Sequence, residues 1–165
     1  MHAKILHIVR HGKALQDYHH AIRDDDRPLI EKGILNSISI AKQLYERYSV
    51  PGLIVSSHAA RALHTAHIFA RIMSYPHERV QVNERLYSDG ETETYNILNN
   101  LPDELDSVMI VGHNPDVTFI ANQLAGSYVN PLPTSGAVTI CFDTDRWSET
   151  GKGKAKYACI YHNNG

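Results

Sequence analysis

The chain has 165 residues, 42% of them hydrophobic and 21% charged, and a formal net charge of −2. That mixture excludes a disordered, collagen-like or disulfide-stapled chain, and the length suits one domain, residues 1–165, with a core of its own. With 16 basic against 18 acidic residues there is no electrostatic footprint for nucleic acid, and no apolar run approaches the ~20 residues of a membrane span.

Residues 4–9 (KILHIV) predict a short buried strand that runs into Arg10, His11 and Gly12. This apolar run is too short for a secretory signal core, and no small-residue cleavage site follows, so a cytoplasmic location is expected. Residues 15–30 predict an irregular surface loop, because Asp24–Asp26 repel one another and Pro28 restricts Arg27. From Glu31 to Tyr48, Ile34, Leu35, Ile38, Ala41, Leu44, Tyr45 and Tyr48 recur at helical spacing. Pro51 and Gly52 punctuate the chain before a second strand, Leu53–Ser56. A helix is predicted over 59–73, with Ala62, Thr65, Ala66, Phe69, Ile72 and Met73 at helical spacing. Val80–Val82 predicts a third strand, and 92–101 a helix stopped by Pro102. Ser107–Val111 predicts an apolar strand running into Gly112-His113-Asn114-Pro115. Residues 116–125 predict a helix with Val117, Ile120, Ala121 and Leu124 inward. Ala137–Phe142 and Tyr157–Tyr161 predict two late strands with no helix between them.

This alternation predicts an α/β fold, a three-layer sandwich with a mostly parallel central sheet and helices on both faces. The last two strands are expected to pair as an antiparallel hairpin at the sheet edge, which makes the sheet mixed. In open α/β sheets, ligands bind at the carboxyl ends of strands. Three such ends are unusual: Arg10-His11-Gly12, Ser56-Ser57-His58 with Arg61 on the following helical turn, and Gly112-His113-Asn114-Pro115. Parallel strands bring these ends to one edge. Two guanidiniums aimed at one point suit an anion, and their planar forks match phosphate oxygens. A histidine nitrogen can attack phosphorus and hold it covalently. Phosphoryl transfer asks the protein mainly for positioning and positive charge, which Arg10, Arg61 and a second histidine supply without a metal or cofactor. Positive neighbours also disfavour protonated His11 and keep a lone pair available. Gly12 is expected to let the backbone approach the phosphate. Arg61 is expected to face solvent at the site.

The same residues carry a family resemblance. The stretches IVRHGKA (8–14), DDRPLIEKG (25–33), SSHAARALHTA (56–66), IVGHNP (110–115) and LPTSGAV (132–138) resemble the histidine phosphatase superfamily, which includes the cofactor-dependent phosphoglycerate mutases. Within it the chain is similar to the short SixA-type phosphohistidine phosphatases. Ile30 stands where family members often have a helix-starting Thr. The resemblance implies a phosphoglycerate mutase-like fold. It implies that His11 is the phosphorylated nucleophile, that Arg10 and Arg61 clamp phosphoryl oxygens, and that His113 stabilises the transition state. The implied partner is a phosphorylated protein, such as a histidine phosphotransfer domain, and the activity is hydrolysis of its phosphohistidine. The alternatives are a small-molecule phosphomonoesterase and a non-catalytic phospho-binding module; a mutase's substrate-binding insertions have little room here. Mutase-like members use a Glu as proton donor, and Glu84 is the nearest analogue.

Other features read as ordinary surface or core. His58, His64 and His67 invite a zinc reading but lack a fourth ligand nearby, and solvated helix histidines account for them better. His19 and His20 suit a plain loop at the mouth of the site, and Asp24–Asp26 a solvated one. Ser135 and Gly136 precede a strand and could line the phosphate pocket. Cys141 and Cys159 read as two buried thiols, with a disulfide between them as the alternative.

Overall fold

The structure, a computed structural model, describes residues 3–163. The elements in chain order are β1 (Lys4–Arg10), α1 (Glu31–Tyr45), β2 (Leu53–Ser56), α2 (Ala60–Ile72), β3 (Gln81–Val82), α3 (Arg85–Ser88), α4 (Gly90–Asn99), β4 (Ser107–Gly112), α5 (Asp116–Ala125), β5 (Ala137–Phe142) and β6 (Tyr157–Tyr161). They build one six-stranded sheet in the order β3-β2-β4-β1-β5-β6. The strands β1 to β4 pair in parallel, whereas β5 runs antiparallel to both β1 and β6. The mixed sheet expected from the two late strands is present, and their hairpin reaches the edge through β6.

Side-chain alternation divides the core into two layers. Leu6 and Ile8 of β1 and Val108 and Ile110 of β4 pack with Leu98 of α4 and Val117, Ile120 and Leu124 of α5. Val9, Ile54, Met109 and Val111 point the other way, against Ile40 and Leu44 of α1 and Ala62, Ala66 and Phe69 of α2. The central strands are apolar on both faces because helices cover both, which is why they read as continuous apolar runs. Among the described residues, no helix is long and apolar enough to cross a membrane.

Three local differences from the sequence reading have physical causes. The helix predicted to Tyr48 ends at Tyr45, although the Tyr48 amide still donates to the Leu44 carbonyl at 2.9 Å. Tyr48 there turns its ring edge-on to His7, with centroids 5.2 Å apart. The helix α3 has four residues, too few to show a period. Gly12 serves helix packing rather than phosphate approach. A Cβ on it would lie 2.9 Å from both the Gly33 carbonyl oxygen and Ser37 Oγ, and one on Gly33 would lie 2.2 Å from the Lys13 carbonyl oxygen. Only two glycines allow the start of α1 to press against the chain leaving β1. Cys141 and Cys159 are free thiols, but only Cys141 is buried as expected, and Cys159 on the edge strand is half-buried; on the β5–β6 ladder Cys159 lies opposite Thr139 and Cys141 opposite Tyr157.

Candidate active site

The strand order makes β2, β4 and β1 neighbours, so their carboxyl ends lie side by side. His11 and Ser57 stand one residue past the ladder, where the His11 amide donates to the Gly112 carbonyl at 3.1 Å and the Ser57 amide to the Val111 carbonyl at 3.0 Å. The antiparallel β5 starts at the same edge and brings in the loop before it. There the Ser135 amide donates to the His11 carbonyl at 3.0 Å and the Arg10 amide to the Gly136 carbonyl at 2.9 Å. A cavity of about 750 Å³ opens at this edge, and Arg10, His11, Arg61 and His113 all line it. The four residues singled out from the sequence are brought together.

His11 has a defined tautomer. Its Nδ1 lies 2.7 Å from the Gly12 carbonyl oxygen, which can only accept, so Nδ1 carries the hydrogen and Nε2 the lone pair. Arg61 Nε donates toward that Nε2 at 3.4 Å. Burial pushes the His11 pKa down to about 4; the Arg61 and Arg10 charges push the same way, against the Gly12 hydrogen bond. The Gly12 amide donates to Thr65 Oγ1 at 2.9 Å, which ties the strand end to α2.

His113 lies beside it, with ring centroids 5.1 Å apart. Its Nε2 is 2.8 Å from Ser57 Oγ, while its Nδ1 is buried with no partner among the described residues. Burial, then the neighbouring His11 and Arg61, push its pKa down to about 3. Ser57 was not assigned a role from the sequence. The signal was its place in the Ser57–Arg61 motif, but its contact with His113 spans 56 residues. Arg10 Nη1 donates to the Leu132 carbonyl at 2.9 Å, and Asn114 Nδ2 donates to the same oxygen at 3.0 Å. Arg10 Nε is buried without a partner among the described residues.

Arg61 is not the solvent-facing residue expected: it is 5% exposed. Its Nη1 donates to the Asp24 carbonyl at 2.6 Å and its Nη2 to Asp24 Oδ2 at 3.0 Å. Asp24 also accepts from Tyr87 Oη at 2.7 Å and Arg27 Nε at 3.1 Å. Tyr87 foremost, then Arg61, holds its carboxyl well below the usual carboxylate range. The acidic run is therefore not wholly solvated, since Asp24 reaches back across the cavity to Arg61. Tyr87, on the unpredicted helix α3, stands between His58 and His113, its ring 5.1 and 5.3 Å from theirs.

The remaining candidates are placed as follows. Glu84 is exposed and does not line the cavity. His58 Nε2 pairs with Asp25 Oδ2 at 3.0 Å, and His64 and His67 are exposed. Among the described residues no cluster of three or more His, Cys, Asp or Glu side chains is placed to hold a metal. His20 lines the cavity mouth and His19 does not. Ser135 is buried beneath the site, bonded to Ser37 Oγ at 2.8 Å, and its neighbours Pro133 and Thr134 form the wall instead.

Three buried histidines set an acid limit. Burial lowers the pKa of His7 and of His11 to about 4 and that of His113 to about 3. Unfolded, each protonates near ~6.5. Below that pH the unfolded chain binds more protons than the folded one, so their contribution is complete above about 6.5 and is lost as pH falls toward 4. The melting temperature is expected to drop between pH 7.5 and pH 5. An unchanged value would mean that these rings are already solvated.

Comparison with known proteins places this geometry. Residues 6–116 match the histidine phosphatase superfamily, branch 1. A curated, uncharacterized chloroplastic protein of Arabidopsis thaliana is 29% identical over 138 residues, 78% of this chain. The chain spans 62% of that relative's length. A candidate SixA phosphohistidine phosphatase from Nakamurella multipartitia superposes with a TM-score of 0.80 at 21% identity, covering 98% of this chain and 97% of that one. One from Agrobacterium tumefaciens gives 0.77 at 25% identity, covering 98% and 99%. The protein histidine phosphatase SixA in complex with tungstate gives 0.78 at 25% identity, covering 93% and 95%. The three-layer sandwich is thus the phosphoglycerate mutase-like fold of the SixA structures, as the motifs implied.

Proposed function

Because this chain belongs to the histidine phosphatase superfamily, we propose that it is a phosphatase that hydrolyses phosphohistidine on proteins through a phosphorylated His11. The observation that carries the reading is the unprotonated Nε2 of a buried, neutral His11, whose lone pair faces Arg61 Nε at 3.4 Å. In the first step Nε2 attacks phosphorus, the bond from phosphorus to the substrate imidazole breaks, and that imidazole leaves neutral. In the second step water attacks the phosphorylated His11, the P–Nε2 bond breaks, and inorganic phosphate departs with the water's oxygen. Arg10 Nε and Arg61 Nε supply donors to the equatorial oxygens, where charge spreads in the transition state. His113, oriented by Ser57, supplies a further contact. The tungstate held by the SixA relative is a tetrahedral oxyanion like phosphate, which supports an oxyanion site in this fold.

The choice of phosphohistidine rests on the missing acid. The carboxylates lining the cavity are Asp17 and Asp24, and both have lowered pKa values: Asp17 through the Ile22 amide, Asp24 through Tyr87 and Arg61. Neither is a proton donor at neutral pH, and Glu84 lies elsewhere. An alkoxide leaving group wants a proton in the transition state, whereas an imidazole that already carries a hydrogen on its other nitrogen does not. The substrate protein would present its phosphohistidine at the cavity mouth, as a histidine phosphotransfer domain's exposed residue would; a phosphorylated small molecule is the competing substrate. Assays on a phosphohistidine peptide and a simple alkyl phosphate are expected to favour the peptide. Faster turnover of the alkyl phosphate would favour the monoesterase instead. With arginine and histidine supplying the charge, activity is expected to survive EDTA and to be inhibited by vanadate, which mimics five-coordinate phosphorus. Loss of activity on chelation, restored by zinc or magnesium, would overturn the metal-free mechanism.

A further inference from the structure

The cavity extends beyond the phosphoryl site, toward α1. We propose that Lys13 and Lys32 form a second anion subsite there, which takes a carboxylate or phosphate group that the substrate carries beside the transferred phosphoryl group. This rests on the reading of Arg10, His11 and Arg61 as the phosphoryl site.

Backbone packing brings Lys13 against the start of α1. Lys13 follows His11 by two residues, and its carbonyl oxygen lies 2.2 Å from where a Gly33 Cβ would stand. Lys32 immediately precedes that glycine in the first turn of α1. Both line the cavity, as does Asn36, one turn further along the same helix. Asn163 Nδ2 donates to Asn36 Oδ1 at 3.3 Å and closes that end of the wall.

The charges of the wall do not balance. Its basic side chains besides histidine are Arg10, Lys13, Arg27, Lys32 and Arg61, and its carboxylates are Asp17 and Asp24. Asp24 is engaged by Arg27 and Arg61, and Asp17 accepts from the Ile22 amide of its own loop at 2.7 Å. Among the described residues, neither Lys13 nor Lys32 has a carboxylate within ion-pairing distance. A phosphoryl dianion is matched by Arg10 and Arg61. With Arg27 set against Asp24, Lys13 and Lys32 face Asp17 alone, which leaves an excess of one positive charge on the wall for a second negative group.

Binding of non-hydrolysable phosphonates separates this subsite from turnover. Calorimetry would compare ω-carboxyalkyl phosphonates of increasing chain length with alkyl phosphonates of the same length, on the wild type and on Lys13→Gln/Lys32→Gln. At one chain length the wild type is expected to bind the carboxylated compound roughly 3- to 10-fold more tightly, the size of two partly exposed ion pairs. That ratio is expected to shrink with added salt and to fall to about one in the double variant. Equal affinities at every length in the wild type, with alkyl phosphonates still bound, would overturn the subsite and leave the phosphoryl site standing. Failure to bind any phosphonate would overturn both. A second arm compares turnover of phosphohistidine peptides with glutamate or alanine flanks. A preference for the acidic peptide would assign the second anion to a protein side chain. The same preference confined to the phosphonates would assign it to a small molecule.

Discussion

Replacing His11 with alanine is expected to abolish turnover and covalent labelling together. His11 combines three properties that a phosphoryl acceptor needs. Its Nδ1 hydrogen is committed to the Gly12 carbonyl at 2.7 Å, so the lone pair stands on Nε2. Burial keeps the ring neutral, with a pKa of about 4, so the lone pair persists at neutral and mildly acidic pH. The backbone is held from three sides, by Gly112, Ser135 and, through Gly12, Thr65. Loss of a nucleophile from such a unit typically costs on the order of 10⁴- to 10⁶-fold in rate. Brief exposure to labelled substrate followed by alkaline quenching should leave an acid-labile, base-stable label on His11 in the wild type and none in His11→Ala. Label on His113 would reverse the two histidines' assignments. The His113→Ala variant separates them further, since it should still label at a reduced rate.

The second large effect is expected from Arg61→Lys, which keeps the charge and loses the fork. Arg61 directs Nε toward His11 and spends Nη1 and Nη2 on Asp24. A lysine ammonium is a single point and cannot hold both groups in one geometry. Removal of one transition-state donor typically lowers kcat by roughly 10²- to 10³-fold. Because Arg61 is 5% exposed and paired, the substitution should also lower the melting temperature, contrary to what a solvent-facing arginine would do. The stability loss should be about 1 kcal/mol, since the Asp24 side chain is half exposed and solvent screens the pair. Asp24→Asn serves as the control. It weakens the same pair but leaves the Arg61 guanidinium in place, so its kcat should fall less than that of Arg61→Lys. Equal losses would mean that Arg61 acts only by anchoring the loop. Wild-type turnover by Arg61→Lys would remove Arg61 from the chemistry altogether.

Local pattern alone determined the elements of this protein other than the short helix α3. Helical spacing marked α1, α2 and α5, and short apolar runs bounded by turn residues marked β1, β2, β4, β5 and β6, each to within a few residues. Those signals are legible because a period of 3.6, or a buried run of fixed length, is written in neighbouring residues. The unusual strand ends were legible for the same reason, so Arg10, His11, Arg61 and His113 stood out before any fold was known. Their convergence required the strand order β2-β4-β1, which no local pattern encodes. The tertiary structure likewise decided which nitrogen of His11 is free, through the backbone turn at Gly12. It decided that Asp24 reaches Arg61 across 37 residues and Ser57 reaches His113 across 56. It turned Gly12 from a phosphate-side glycine into a packing one, because the contact partner, Gly33, lies on another element. Contacts of this kind join residues far apart in the chain. They exist only once two core layers have formed and set the spacing between elements, so a reading of neighbours cannot contain them.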